Sequence, residues 1–209
     1  REVSVASTKV FTSQVIVLHL IAIWFAQTRN IFEDRRSDII RDLKRLPIDI
    51  KNTLEISTNP SKNITKYLDN SLFILGKDIL EAIAHEGALK IKEIGYIHAE
   101  AYNSSALKHG PYALIENNTP IIVLCPYDKY YNNNKSTVEE IKSRGAFVIV
   151  ISDNDDNNLL NDYFIKIPKN YTFRGLLSNL PMQLIAYEVA LSKEHDPDKP
   201  RHLAKCVTV

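Results

Sequence analysis

Apolar residues along this chain fall into two rhythms. Short continuous runs recur, and between them lie longer stretches in which apolar positions return every three or four residues. The runs Ser71–Leu75 (closing on Gly76), Pro120–Cys125 (bounded by Pro126), Ala146–Ile151 and Tyr163–Ile167 predict buried strands. Helical spacing predicts a long helix from Thr8 to about Gln27 and charged helical segments over about Asp34–Leu46 and Asp49–Ser57. Further helices are expected over Ile79–Gly95, Ser136–Arg144 and Leu176–Lys193, with Pro181 kinking the last one or marking its start. Val3-Ser4-Val5 is expected to close a strand ahead of the first helix. Strands alternate with helices, so the expectation is a parallel sheet covered on both faces, a three-layer α/β/α domain. The Asn132–Asn134 and Asp153–Asn158 runs are turn chemistry and read as solvated loops.

Composition narrows the picture. A chain of 209 residues with 44% hydrophobic content can bury one good core, with room for an extra helical arm. A net charge of +1 gives no electrostatic case for nucleic acid or an anionic membrane. The most apolar run, Val15–Ala26, is about twelve residues long, short for a bilayer span and better suited to a buried helix. The first residue is Arg1 and no signal-like segment follows, so the sequence reads as a piece of a longer protein. The six glycines form neither GxGxxG nor GxxxxGK[ST], which argues against a dinucleotide or nucleoside triphosphate site. Cys125 and Cys206 offer no disulfide framework and read as reduced thiols of a cytoplasmic protein. No pair of histidines has metal-ligand spacing, and no cofactor is expected; His19, His98 and His202 read as packing or surface residues.

The candidate chemistry lies in the Ile79–Gly95 helix and just beyond it. At about 100° per residue, Glu86, Lys90 and Glu93 fall within a stripe roughly 60° wide. That stripe borders the apolar arc formed by Ile83, Gly87, Ile91 and Ile94, where burial alters the ionisation of charged groups. The residues alone leave two readings open: a Glu–Lys pair on a solvated rim, or a cluster built for proton transfer.

Three stretches, taken together, decide more. They are Val5-Ala-Ser7-Thr8-Lys9-Val-Phe-Thr12-Ser-Gln14; Glu86 through Tyr102 with Leu107-Lys-His109-Gly-Pro111; and Asp198-Lys-Pro200-Arg201-His-Leu-Ala204-Lys205-Cys-Val-Thr-Val209. Over essentially the whole chain this resembles the second sugar-isomerase (SIS) domain of the glutamine–fructose-6-phosphate aminotransferase family. The resemblance implies an end of the first SIS domain with connecting helices over residues 1–45, a second SIS domain over 46–195 and a catalytic tail over 196–209. It also implies fructose 6-phosphate and glucosamine 6-phosphate as ligands, a homodimer, and upstream first SIS and glutaminase domains.

Roles follow residue by residue from that resemblance. Lys205 would form a Schiff base with the ketose carbonyl, which requires a partly deprotonated amine. Glu93 would carry a proton between C1 and C2, and a carboxylate on a rigid helix suits that task. His109 would open the cyclic sugar from the neighbouring subunit, a transfer suited to imidazole. Lys90 would stand near the reacting hydroxyl or hold Glu93 and Glu86 by ion pairs, Glu86 being structural. Val5, Ala6, Ser7 and Ala204 would line the sugar, with Ser7 and Thr8 set to cap the following helix.

The chain departs from the family pattern at three internal places. Asp78 stands where glycine is common in Gly76-Lys77-Asp78, His85 replaces an aliphatic residue, and Cys206 replaces serine; the sequence also ends at Val209, one glutamate early. Two other function classes remain for comparison: a non-catalytic sugar-phosphate-binding or dimerisation module, and another SIS isomerase or deglycase. Lys205, Glu93 and His109 together in one chain weigh against the first, and the Leu203-Ala204-Lys205 tail argues against a deglycase.

Overall fold

The computed structural model describes residues 4–156 and 158–206. Its centre is a five-stranded sheet in the order β2-β1-β3-β4-β5, parallel throughout. The strands are β1 (Ser71–Gly76), β2 (His98–Asn103), β3 (Pro120–Leu124), β4 (Phe147–Ser152) and β5 (Tyr163–Lys166). β3 is buried along its whole length and β4 almost so, as continuous Ile/Val runs covered on both faces should be. The α helices are α1 (Lys9–Thr28), α2 (Glu33–Ile64), α3 (Ile79–Gly95), α4 (Tyr131–Lys142) and α5 (Arg174–Ser192).

Two cores flank the sheet. On one face α2, α3 and α5 close over Leu72, Ile74, Ile122, Leu124, Ile149 and Ile151. On the other, α4 and the segment around Leu107 cover Leu75, Ile121, Val123, Val148 and Val150. The three-layer expectation therefore holds. α3 and α5 approach closely because glycines stand at their contact: a Cβ on Gly87 would lie 2.3 Å from Met182 Sδ, and one on Gly175 3.1 Å from Ile83 Cγ1.

Several sequence expectations are corrected. Strand β2 is absent from the sequence-based expectation, because His98-Ala-Glu-Ala-Tyr-Asn103 is an edge strand of helix-favouring alanine and glutamate rather than an apolar run. The two charged segments are one 32-residue helix, α2, with Pro47 inside it. Buried acids in α2 tie it to the loop before α5. Asp42 Oδ2 accepts from the Thr172 N–H (3.1 Å) and hydroxyl (2.7 Å), and Asp49 Oδ2 accepts from Asn170 Nδ2 (2.9 Å).

Asn132–Asn134 lies within α4, not in a loop. Asn134 is buried, accepting from Ser104 Oγ at 2.8 Å and donating to the Leu124 carbonyl at 3.4 Å. Pro181 sits inside α5. Ser4 and Val5 lie in bends, so the expected strand end is absent there, and Val3 falls outside the described residues.

α1 differs from expectation most. No residue of it is buried, although Phe11 and Ile16 pack on the core and the His19 ring meets Phe173 at a tilt, centroids 4.7 Å apart. Val17, Leu18, Leu20, Ile21, Trp24 and Phe25 are exposed, so only one side of an apolar helix is covered. Among the described residues it is the one helix long and apolar enough to cross a membrane, by length and composition only.

Candidate active site

In a parallel α/β unit each helix runs back against the strands, so the end of α3 meets the edge where the strands begin. Gly95 ends α3 and His98 opens β2 soon after, paired with Ser71 at the start of β1. Lys90 and Glu93 lie in the last two turns of α3 and therefore belong to this edge.

The charged stripe is a compact ion cluster. Lys90 is 4% exposed, far more buried than an unpaired lysine tolerates. Its Nζ lies 2.7 Å from Glu93 Oε2 and 3.6 Å from Glu86 Oε1, with both carboxylates half-buried. Burial pushes the Glu86 carboxyl above its ordinary value, against the pull of Lys90; the neighbouring Glu93 charge pushes the same way. Of the two roles expected for Lys90, the geometry supports the one that holds Glu93 and Glu86.

The tail arrives at the same edge. α3 stops when Tyr96 takes a left-handed conformation (φ 54°), one residue after the glycine expected to stop it; Gly95 itself stays helical and buried against Val189. The Tyr96 hydroxyl accepts the Arg201 backbone N–H at 2.7 Å, and the Arg201 guanidinium lies 4.3 Å from the ring centroid. His195, just past α5, packs on the same ring at 4.4 Å. Pro200 is buried, and residues 201–206, including Ala204 and Lys205, are exposed.

The N-terminal segment completes this edge. Ser4 Oγ donates to the Pro197 carbonyl at 2.9 Å and accepts the Ala6 N–H at 3.2 Å. Ala6 is buried in the core cluster that also holds Ile94, while Val5 and Ser7 are half-buried. Thr8 is the N-cap residue of α1, although its side chain makes no capping bond to the helix amides. The structure thus brings Val5, Ala6, Ser7, Lys90, Glu93 and the tail bearing Ala204 and Lys205 to one side of the sheet.

His109 is elsewhere. It follows β2, whose end, Asn103, pairs with Gly76 at the strands' C-terminal edge. The six-residue strand separates the edges by roughly 17–20 Å. The His109 loop is firmly built: Leu107 is fully buried, Lys77 bonds Ser105, Tyr112 bonds Glu140, and Arg144 lies 4.1 Å from the Tyr112 ring centroid. Gly110 supplies the φ of 149° that lets the chain turn after an exposed His109. Within one chain, His109 does not join the Glu93 cluster.

Sequence reasoning missed Tyr96, His195, Ser4 and the Ser104–Asn134 bond. A tyrosine directly after a helix-ending glycine was the one local signal, while the others depend on contacts far apart in sequence. Among the described residues, no group of three or more His, Cys, Asp or Glu side chains is arranged to hold a metal ion. Several clefts lie apart from the cluster. One of about 670 Å3 is walled by Lys62, Lys66, Tyr163 and Glu188; another of about 560 Å3 opens at the C-terminal edge between Asp78, Asp128 and Arg174.

Comparison with known proteins agrees with this fold. A family model described as "SIS domain" matches residues 67–193. A probable glutamine–fructose-6-phosphate aminotransferase [isomerizing] of Acanthamoeba polyphaga mimivirus is 43% identical over 211 residues, covering 100% of this chain and 34% of the relative. A glutamine–fructose-6-phosphate aminotransferase [isomerizing] of Thermus thermophilus is 37% identical over 213 residues, covering 100% of this chain and 35% of the relative. The solved C-terminal domain of glucosamine-fructose-6-phosphate aminotransferase from Francisella tularensis superposes with a TM-score of 0.88 at 33% identity, over 95% of this chain and 57% of that one. A glucosamine-6-phosphate deaminase from Thermotoga maritima shares the fold at a TM-score of 0.73 and 24% identity, over 99% of this chain and 59% of that one. The chain spans about a third of the length of the curated relatives it matches. It belongs to the SIS domain family, and its likeness within that family is to the C-terminal isomerase part of the glutamine–fructose-6-phosphate aminotransferases.

Proposed function

We propose that this chain is the C-terminal isomerase part of an enzyme that makes glucosamine 6-phosphate from fructose 6-phosphate and glutamine-derived ammonia. The observation that carries the reading is the meeting, at one edge of the sheet, of the Lys90–Glu93 cluster, the Ser4–Ser7 segment and the Lys205 tail.

In this reading the Lys205 amine attacks the C2 carbonyl of the open-chain ketose, and water leaves as the imine forms. Glutamine-derived ammonia adds to the imine carbon and the Lys205 amine leaves, so C2 now carries the new C=N bond. Glu93 then takes a proton from C1 and returns one to C2 while the C1 hydroxyl proton passes to nitrogen, giving the aldose with its amine at C2. Lys90 holds Glu93 in the orientation from which both carbons are in reach. Val5, Ala6, Ser7 and Ala204 line the sugar. His109 opens the ring in the site of a second copy, so the working unit is a homodimer; its place at the opposite edge from Glu93 supports transfer between subunits. Ammonia and the phosphate grip come from glutaminase and first SIS domains of the full-length protein. In this reading residues 1–45 close the preceding SIS domain and residues 46–195 form the second; the half-covered α1 suits that role, while the boundary itself falls inside the continuous helix α2. Two unpaired cysteines suit a cytoplasmic setting. The reading calls for neither nucleic acid nor membrane partners.

The test is turnover of fructose 6-phosphate and glutamine by the full-length protein, before and after Lys205→Ala. The expected result is glucosamine 6-phosphate from the unaltered protein and none from the variant, with the dimer retained. Product from Lys205→Ala at an unaltered rate would remove Lys205 from the mechanism.

A further inference from the structure

We propose that Tyr96 is a positioning residue that clamps the C-terminal tail to the end of α3 and so sets where Lys205 meets the sugar. The inference rests on the reading of Lys205 and Glu93 given above.

Tyr96 occupies a conformation that favours glycine or asparagine. At φ 54° a bulky side chain is disfavoured relative to the right-handed region. That cost points to work done by the side chain. Its work is visible: one ring meets His195 at 4.4 Å and the Arg201 guanidinium at 4.3 Å, and its hydroxyl accepts the Arg201 N–H at 2.7 Å. The left-handed turn aims the side chain away from the direction in which a continued helix would carry it, toward the tail.

Position in sequence gives the clamp its consequence. Tyr96 follows Glu93 by three residues, and Arg201 precedes Lys205 by four. Four extended residues span at most about 14 Å, so fixing Arg201 confines the Lys205 backbone to a small sphere around the end of α3. The segment after the clamp, through residue 206, is exposed. A clamp of this kind raises the effective concentration of the amine beside the C2 carbonyl without touching the sugar itself. A second anchor backs the first: Ser4 Oγ donates to the carbonyl of Pro197 upstream of the clamp.

The experiment uses the full-length protein with Tyr96→Leu, Tyr96→Phe and Arg201→Ala, read in two ways. The first is the rate of trypsin cleavage after Arg201 and Lys205, or after Lys205 alone in Arg201→Ala. The second is the rate at which borohydride fixes fructose 6-phosphate to Lys205 at saturating sugar. In that step the imine formed with loss of water takes up hydride at its carbon, and mass spectrometry locates the product. Tyr96→Leu and Arg201→Ala should speed tail cleavage and slow trapping by about tenfold, with the melting temperature little changed. Tyr96→Phe keeps the ring and should fall between them and the unaltered protein. Should Tyr96→Leu fail to fold, Tyr96→Phe removes the bond from the Arg201 backbone N–H and Arg201→Ala removes the guanidinium from the ring, so the two together take away both contacts and decide the matter. Unchanged cleavage and trapping in a folded variant lacking the ring or the arginine would overturn the clamp. Trapping that persists in Lys205→Ala would instead sink the Schiff-base reading, while the cleavage rates still judge Tyr96.

Discussion

Lys90 Nζ sits between two carboxylates of its own helix, 2.7 Å from Glu93 Oε2 and 3.6 Å from Glu86 Oε1, with its side chain 5% exposed. A buried cation held this way stabilises mainly by keeping its neighbours paired. Lys90→Met preserves volume but leaves two half-buried carboxylates facing each other. We expect a loss of about 2–4 kcal/mol at pH 7, with the upper end muted because both glutamates reach water. Denaturant unfolding measures it, and the loss should shrink in acid as Glu86, its carboxyl already raised by burial, takes up a proton. An equal loss at pH 4 and pH 7 would contradict the electrostatic account.

Glu86 gives a separate pH prediction with its own sign. Burial raises its carboxyl above the usual 4.5. A folded pKa above the unfolded one means the native chain binds that proton more tightly. The resulting stabilisation is full below about 4.5 and is lost as pH rises through the elevated native value. Glu86→Gln, which cannot ionise, should therefore be neutral to slightly stabilising at pH 7. It should be no better than the unaltered chain below pH 4, because both side chains are then uncharged. Clear destabilisation at pH 7 alone would show that the 3.6 Å contact to Lys90 outweighs desolvation.

Helix contact near the cluster is tested at Gly87. A methyl there would stand 2.3 Å from Met182 Sδ and 2.7 Å from its Cε, within reach of a flexible side chain that can move aside. Gly87→Ala should cost about 1–3 kcal/mol through overpacking. Gly87→Ala with Met182→Ala should cost less than the sum of the two, since the second change removes the obstacle to the first. Additive losses would place the cost in the backbone instead.

These residues also mark how much the sequence made legible. The Ile79–Gly95 helix could be read nearly to its ends because its apolar arc and charged rim agree, although Tyr96 rather than Gly95 makes the stop. The four apolar strands were readable for the same reason, whereas β2 hides in Ala-Glu-Ala, whose local preference is helical. Asn134 looked like turn chemistry, yet its amide is consumed by Ser104 and Leu124 in the interior, where tertiary bonds override propensity. α1 was expected to be buried because its residues are apolar all round, but only the side bearing Phe11, Ile16 and His19 meets the rest of the chain. As for the site, periodicity alone grouped Glu86, Lys90 and Glu93. Lys205, His109 and Val5–Ser7 were found only through family resemblance, since a lysine near a chain end carries no local signature. Tyr96 lies 105 residues from its partner Arg201, beyond any local pattern.

The two cysteines should separate cleanly. Cys125 is buried at the end of β3, and burial together with Asp128, Asp153 and Asp156 pushes its thiol up to about 12. Cys206 is exposed beside Lys205. A disulfide reagent should therefore titrate one thiol rapidly in the native chain and the second only after unfolding. In the full-length protein, fructose 6-phosphate should slow modification of Cys206 if the tail closes on the sugar. Two rapid thiols in the native state would contradict the buried position of Cys125.

The separation of His109 from Glu93 leads to the sharpest test of assembly. If His109 serves the neighbouring copy, each site draws Lys205 and Glu93 from one subunit and His109 from the other. Full-length His109→Ala and Lys205→Ala should each be inactive alone. In a mixed dimer, one site combines the intact lysine of the first variant with the intact histidine of the second, and the other site carries both lesions. Random exchange makes half the dimers mixed, so activity should return to about a quarter of the unaltered level. A histidine acting within its own subunit leaves every site with one lesion, and mixing would restore nothing. Recovered product after subunit exchange, measured against each variant alone, therefore separates transfer between subunits from a loop that folds back on its own chain.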